Sequence, residues 1–226
     1  MKLVLFDIDG TLMEWTPAHK DSYSKAFEKV YGIEADISII NGAGMTDQQI
    51  ITDVLKLKGL DEKTIKSKMA DAMKIEAEYF EKEIVKAKIA LLDGVQEFLE
   101  ELDEKGVLMG VVTGNLERIA RGKLKNAGIN RYIKLGGFGS DHILRTELVK
   151  LAIKRAEEKF GFKDDNNIYS IGDAPSDMKA GREGGAFKCI GITTGIYMEK
   201  QLKESGADFV FKNLLEKAKI LKIILE

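Results

Sequence analysis

Two aspartates, Asp7 and Asp9, directly follow a run of four apolar residues, Leu3 to Phe6, near the start of the sequence. Such an uninterrupted apolar run is typical of a strand that is buried on both faces in a parallel sheet. Positions i and i+2 of a strand point to the same side, so we expect both carboxylates at the strand's carboxyl end. Gly10 follows, where a sharp turn costs least. An ordinary Asp-Gly turn does not require Asp7, and the pair therefore predicts a cation-binding site.

Two further polar clusters follow apolar runs later in the chain. Their members are Thr113, Gly114 and Asn115 in one cluster, and Asp173 and Asp177 in the other. Because the carboxyl ends of parallel strands meet at one edge of a sheet, we expect both clusters to gather beside the first aspartates. Two carboxylates 4 Å apart repel by about 4 kcal/mol at an effective dielectric constant of 20. Oxygen ligands without histidine or cysteine suit Mg²⁺, which we predict as the cation.

A phosphate bound beside Mg²⁺ also needs hydrogen-bond donors. The turn at Gly10 and the cluster that begins with Thr113 offer backbone N–H groups and a hydroxyl. A helix is predicted to start near Leu116, and the dipole at its amino end favours an anion. Asp7 could then attack phosphorus and form an aspartyl phosphate. Asp9 could protonate the leaving alcohol and later deprotonate the attacking water.

The periodicity of apolar residues predicts an α/β fold. Residues 15–88 show helical spacing, including a capping-box pattern that begins at Thr46, and the one strand-like stretch there is 37–40. From Ile89 onward, strands alternate with helices, and one short strand is predicted near residues 133–135. This alternation indicates a Rossmann-like parallel sheet with helices on both faces. We predict a core domain formed by residues 1–14 and 89–226, with an all-helical cap domain inserted at residues 15–88.

Composition narrows the functional classes. The net charge of -2 gives no electrostatic reason to expect a nucleic acid or membrane partner. The longest run without a charged residue, 106–116, is too short to span a bilayer, and we expect no signal peptide because only four apolar residues separate Lys2 from Asp7. The single cysteine, Cys189, excludes an internal disulfide. We expect a cytoplasmic protein, and the sequence does not reveal its oligomeric state.

The motif Asp7-Ile8-Asp9-Gly10-Thr11 resembles, residue for residue, the first motif of the haloacid dehalogenase superfamily. This resemblance implies that Asp7 is the nucleophile and that Asp9 is the acid/base, whose backbone carbonyl also binds the metal. Dehalogenases and phosphonatases of the superfamily typically lack an acid at this second position. The resemblance therefore implies phosphoesters as substrates.

The remaining clusters fit later motifs of the same superfamily. The resemblance implies that Thr113 binds phosphate, that Asp173 binds the metal, and that Asp177 is a carboxylate close behind it. The helical insertion is similar to a C1-type cap, which closes over the site and selects the substrate. Its loop at 41–47 resembles the substrate loop of phosphoglycolate-phosphatase-like members. The loop residues that this comparison implicates are Gly44, Met45 and Thr46.

The third motif departs from the superfamily pattern, which usually has a lysine before a helix. No lysine occurs from residue 136 to 149, and Arg145 is our candidate for the phosphate-binding cation, with Lys150 as the alternative. Lys123 and Lys125 fit solvated positions on an amphipathic helix. The two histidines, His19 and His142, are too few and too distant in sequence for a zinc site. We expect both at the surface, although His142 lies close enough to Arg145 in sequence to line the site.

Three functions remain open. The leading hypothesis is a Mg²⁺-dependent phosphatase that acts on a small phosphorylated metabolite, with phosphoglycolate or a sugar phosphate as the first guess. A phosphomutase of the β-phosphoglucomutase type would use the same aspartates but exclude water. A receiver-like phospho-accepting module or a non-catalytic binding protein is the third possibility. The position of the nucleophile on the first strand and the cap insertion argue against a receiver module.

Overall fold

Six parallel strands form the sheet at the centre of the computed structural model, which describes residues 1–86 and 88–226. The strands are β1 (Leu3–Phe6), β2 (Leu108–Thr113), β3 (Leu135–Phe138), β4 (Ile168–Gly172), β5 (Lys188–Ile192) and β6 (Phe209–Phe211). Their spatial order is β3-β2-β1-β4-β5-β6, and Leu5 of β1 aligns with Gly110 on one side and Ser170 on the other. The chain changes its direction of progress across the sheet beside β1. Ligands bind at such switch points, outside the carboxyl ends of the strands.

Nine α-helices accompany the sheet within the described residues. They are α1 (Pro17–Ala26), α2 (Asp47–Leu57), α3 (Glu62–Ile84), α4 (Val95–Glu104), α5 (Glu117–Asn126), α6 (Arg145–Phe160), α7 (Pro175–Gly184), α8 (Glu199–Glu204) and α9 (Lys217–Leu225). A π-helical turn, Phe27–Tyr31, continues α1 and ends at Gly32, which is left-handed with φ 68°. None of the described helices has the length and apolar character that crossing a membrane requires.

The sheet separates two apolar clusters because side chains alternate between its faces. Val4 and Phe6 of β1 pack with α4, α5 and α9, whereas Leu3 and Leu5 pack with α6, α7 and α8. Both faces of β1 are therefore covered, as its unbroken apolar run predicts. The predicted α/β fold with a parallel sheet is confirmed.

The insertion between β1 and α4 contains helices and no sheet strand among its described residues. Side chains of α1, α2 and α3 form an apolar cluster of their own, which includes Tyr23, Phe27 and Ile51. The all-helical cap is thus present. Its exact limits stay a prediction, and residue 87 of the predicted cap lies outside the described residues.

Two short segments differ from what their local sequence pattern indicates. The strand-like stretch 37–40 forms a short 3₁₀ helix, Ile37–Ile39, because the Asp36 side chain accepts a hydrogen bond from the Ser38 N–H and starts a turn. The third strand lies at Leu135–Phe138 rather than at 133–135, since its pairing register with β2 begins at Gly110 and Leu135. Neither change moves the carboxyl ends that carry the polar clusters.

Candidate active site

The carboxyl ends of β1 and β4 bring three aspartates together. Carboxylate oxygens of Asp7, Asp173 and Asp177 all lie within 4.8 Å of one another. Asp7 continues the ladder beyond β1, because its N–H donates to the carbonyl of Ile171 at 2.9 Å. These three carboxylates are the group that could hold a metal ion, and the sequence predicted all three at this edge of the sheet.

Glycine is required where the chain turns beside this group. Gly10 has φ 86°, and a Cβ there would lie 2.6 Å from Oδ2 of Asp173. The next residue, Thr11, donates its hydroxyl to Oδ1 of Asp173 at 2.9 Å. Asp177 lies in the first turn of α7, where its carboxylate accepts the Ala174 N–H at 3.0 Å. The turn after β1 and the start of α7 therefore fix the carboxylates from both sides.

Arg145 is the cation in contact with this group. Its Nη2 donates to Oδ1 of Asp7 at 2.8 Å, to Asp177, and to the carbonyl of Val112 at 3.2 Å. Arg145 is the first residue of α6 and is buried. By contrast, Lys150 is exposed and pairs with Glu147. The structure thus places Arg145, and not Lys150, at the site.

One guanidinium does not balance three buried carboxylates. Burial and the neighbouring charge of Asp177 raise the pKa of Asp7 well above its usual value, although Arg145 acts in the opposite direction. Burial and Asp177 also raise the pKa of Asp173 to about 7. An oxygen-only group with a deficit of positive charge fits a hard divalent cation such as Mg²⁺.

Asp9 lies apart from the metal-binding group and has its own cation. Both of its carboxylate oxygens accept from Nζ of Lys123, at 2.7 and 2.6 Å, and Oδ2 also accepts from Nδ2 of Asn115 at 2.9 Å. Burial opposes ionisation of Asp9, but the charge and hydrogen bonds of Lys123 outweigh it and lower the pKa. Lys123 therefore favours the ionised form of Asp9, which is the form that accepts a proton from the attacking water in the second half of an acid/base cycle.

The prediction that Lys123 is solvated was wrong, because its side chain is fully buried. It belongs to the inward face of α5, together with Ile119, Ala120 and Leu124. The signal was present in the sequence, since a residue four positions after Ile119 and three after Ala120 falls on their helical stripe. A lysine is tolerated at this buried position because it pairs with the carboxylate of Asp9, which is 114 residues away in the sequence.

The prediction of a surface position for His19 was also wrong, because it packs between Lys123 and two acidic residues of the cap. Nδ1 of His19 is 3.0 Å from Nζ of Lys123, and Nε2 lies 3.5 Å from Asp47 and 3.3 Å from Glu76. We call Asp9, Lys123, His19, Asp47 and Glu76 the cap–core network. Burial, followed by the charge of Asp47, raises the pKa of Glu76 to about 8.

The geometry also fixes the tautomer of His19. Lys123 has three N–H donors, two of which reach Asp9, so the third is directed to Nδ1. Nδ1 then accepts, and Nε2 carries the proton towards Asp47 and Glu76. These three residues are close enough together to hold a metal ion, but a protonated Nε2 is not a ligand. His142 is half-buried and accepts the Leu144 N–H through Nδ1.

The hydroxyl of Thr113, which we predicted to bind phosphate, takes part in hydrogen bonds within its own cluster. The hydroxyl oxygen of Thr113 accepts from the backbone N–H and the side-chain amide of Asn115, at 3.2 and 2.9 Å. Gly114 contacts the cap directly, since its carbonyl accepts the Asp47 N–H at 2.9 Å. A role of these residues in binding phosphate stays a prediction.

A cavity of about 90 Å³ lies above the carboxylates, under the cap. Of the predicted site residues, it is lined by Asp7, Asp9, Gly44, Met45, Gly114, Asn115, Arg145, Asp173 and Asp177. Its described lining does not include Gly10, Thr46 or Thr113. Thr46 instead caps α2 and donates its hydroxyl to the carbonyl of Ile143 at 3.0 Å, which joins the cap to the core.

Comparison with known proteins finds relatives that match almost the whole of this chain. It is 28% identical over 224 residues to a Clostridium perfringens protein named "Putative pyrophosphatase PpaX". This match covers 96% of this chain and 95% of that protein. It is 25% identical to a phosphoglycolate phosphatase of Pseudomonas fluorescens, over 94% of this chain and 77% of that protein. The crystal structure of a hydrolase from Pseudomonas syringae shares the fold, with a TM-score of 0.71, 22% identity and 99% coverage of both chains.

The family model described as haloacid dehalogenase-like hydrolase matches residues 4–192. This range begins within β1, contains the cap and ends with β5, so it includes every aspartate of the site. Together with the aspartates at the carboxyl ends of β1 and β4, the match shows that this chain belongs to the haloacid dehalogenase-like hydrolases.

Proposed function

We propose that this hydrolase is a Mg²⁺-dependent phosphatase that cleaves a small phosphomonoester, with Asp7 as its nucleophile. The contact that carries the proposal is the one between Asp7 and Arg145, inside a cavity that also presents Asp173 and Asp177. A guanidinium beside a carboxylate nucleophile can hold the phosphoryl oxygens in line for attack. The relatives' names make phosphoglycolate the first substrate to test.

The chain's own residues account for both halves of the reaction. A carboxylate oxygen of Asp7 bonds to phosphorus while the bond to the leaving oxygen breaks, and Asp9, which enters this step in its protonated form, gives its proton to the leaving oxygen. Water then attacks the aspartyl phosphate, Asp9 removes its proton, and inorganic phosphate departs from Asp7. Arg145 faces Asp7 and would bind the phosphoryl oxygens throughout. Mg²⁺, which Asp7, Asp173 and the backbone carbonyl of Asp9 would hold, supplies further positive charge to the transferring group.

Release of inorganic phosphate from a panel of phosphomonoesters tests this proposal. We expect release with Mg²⁺, loss of release with EDTA, and loss of at least 10³-fold in kcat for Asp7→Asn. Asp103→Asn, which changes an exposed carboxylate, is the control and should retain activity. Phosphate release that survives Asp7→Asn would exclude the covalent mechanism. A hexose phosphate that isomerises without releasing phosphate would indicate a phosphomutase instead.

A further inference from the structure

The cavity has a charged floor and apolar walls. Trp15, Met45 and Ile196 line it, and they come from the segment before α1, the loop before α2 and the loop after β5. Trp15 is 53% exposed and Ile196 is 70% exposed, although both lie beside a buried polar group. Trp15 is also the only tryptophan of the chain. Large apolar side chains left in contact with water around a cleft are typical of a binding surface.

The cations near the cavity are already committed. Arg145 is the only lysine, arginine or histidine in the cavity's described lining, and it is bonded to Asp7 and Asp177. Lys123 stands behind Asp9, but it is fully buried and its three donors reach Asp9 and His19. Neither cation is therefore available to a charged group on the leaving side of a substrate.

The charges of the site lead to the same conclusion. With one divalent cation bound, the four aspartates of the cavity are balanced by that ion, Arg145 and Lys123. A phosphate dianion then makes the site net negative. A carboxylate on the leaving group would add to this excess and face the aspartates without gaining a cationic partner, which is unfavourable.

We propose that the leaving group of the substrate is uncharged and apolar, and that it packs on Trp15 and Ile196. The inference rests on the phosphatase activity proposed above and names its substrate class as phosphomonoesters of neutral, apolar alcohols. Because the cavity is only about 90 Å³, the leaving group lies at its open rim, where the exposed Trp15 ring offers an aromatic alcohol a planar face for stacking. Phosphoglycolate, whose leaving group carries a carboxylate, is then a poor substrate.

Two matched pairs of alkyl phosphates test the charge and the apolar contact separately. Phosphoglycolate and its amide have nearly the same size but differ in charge, and benzyl phosphate adds an aromatic ring to methyl phosphate. We expect kcat/KM to be at least about tenfold higher for the amide and for benzyl phosphate than for their partners. Equal values, or a preference for phosphoglycolate over its amide, would overturn the inference.

Variants of Trp15 test whether the apolar wall of the cavity selects the substrate. Trp15→Ala should lower the ratio of kcat/KM for benzyl phosphate to that for methyl phosphate, and Trp15→Arg should shift preference from the amide towards phosphoglycolate. Leu57→Ala, which truncates an exposed apolar residue at the end of α2, should leave both ratios unchanged. These ratios do not depend on the folded fraction of a sample, because both substrates are measured on one preparation. Ratios in the Trp15 variants that match those of the parent would contradict the inference.

The two proposals can fail separately. p-Nitrophenyl phosphate, whose leaving group needs no proton, reports the basic activity. Absence of Asp7-dependent hydrolysis of any phosphomonoester, including this one, would overturn the phosphatase and with it the substrate class. Asp7-dependent hydrolysis without the expected ratios would overturn the substrate class alone.

Discussion

Arg145 connects aspartates that come from two different parts of the sheet edge. Its Nη2 contacts Asp7 after β1 and Asp177 in α7, and the buried side chain also reaches the carbonyl of Val112. A guanidinium is planar and permanently charged, so it holds several acceptors in a fixed geometry where a lysine offers a point charge. An arginine in place of the superfamily's usual lysine therefore keeps the positive charge of the site and holds its hydrogen-bond acceptors in a fixed geometry.

Replacement of Arg145 should reduce activity strongly. We expect Arg145→Ala to lower kcat/KM at least tenfold, about 1.4 kcal/mol of transition-state binding, and Arg145→Lys to lower it less because the charge remains. Steady-state phosphate release measures both. Lys150→Ala is the control and should behave as the parent, since Lys150 is exposed. An Arg145→Ala enzyme with the parent's kcat/KM would show that another group binds the phosphate.

Loss of the Lys123 charge should destabilise the fold. Lys123→Met leaves the Asp9 carboxylate buried without its ion-pair partner, which costs about 3–5 kcal/mol in comparable sites. Urea denaturation measures the free energy of unfolding. The double variant Asp9→Asn with Lys123→Met should recover much of this loss, and Lys125→Met, which changes an exposed lysine of the same helix, should cost little. A stable Lys123→Met single variant would show that the ion pair contributes no net stability.

At the scale of elements, the amino end of α2 joins the cap to the core. Its cap residue Thr46 bonds to the carbonyl of Ile143, the Asp47 N–H bonds to Gly114, and Nε2 of Gln48 donates to the carbonyl of Gly139 at 2.6 Å. The predicted capping box between Thr46 and Gln49 is present and starts α2 at this point. The local signal for the helix start thus also determines where the cap touches the core.

A side chain at Gly114 should displace this contact. A Cβ at residue 114 would lie 2.1 Å from the backbone carbonyl oxygen of Met45, so Gly114→Ala and the observed cap position are incompatible. We expect at least a tenfold loss of kcat/KM, because the loop that covers the cavity must move. Gly122→Ala is the control, since its Cβ would meet no backbone atom and only the side chain of Phe80, at 3.1 Å. Full activity in Gly114→Ala would mean that the closed position of the cap is unnecessary.

For the whole molecule, the cap–core network makes stability depend on pH. The folded state raises the pKa of Glu76 from 4.5 to about 8, so it binds a proton more tightly than the unfolded state does. This contribution to stability is full below the unfolded pKa and disappears as pH rises through the folded pKa. The burial of Glu76 and the charge of Asp47 therefore make the stability of the cap depend on pH.

We expect the free energy of unfolding to fall by a few kcal/mol between pH 5 and pH 8.5, in part because of Glu76. Glu76→Gln, which stays neutral, should flatten this decrease, and urea denaturation across the pH range measures the difference. Glu78→Gln, on the same helix but not fully buried, should keep the parent's profile. Parallel profiles for the parent and Glu76→Gln would show that Glu76 is ionised in the folded protein.

The sequence alone was sufficient to predict the parallel sheet and the edge of the sheet that carries the site. Buried parallel strands have an unbroken apolar pattern, and whatever follows them must gather at their carboxyl ends. For this reason the positions of Asp7, Asp173 and Asp177 could be predicted from local pattern. Local pattern was less informative at 37–40, where a strand-like run forms a 3₁₀ helix because the Asp36 side chain accepts a hydrogen bond from the Ser38 N–H.

Only the tertiary structure decided which charges neutralise which. Arg145 is the first residue of α6 and Lys150 the sixth, and both are cations that could have bound phosphate. Only the folded structure shows that Arg145 contacts the aspartates and that Lys150 is exposed. Lys123 pairs with Asp9, 114 residues away in the sequence, and meets His19 across the boundary between cap and core. The burial of an ionisable side chain depends on the charge that meets it in the folded state, and no local pattern contains that information.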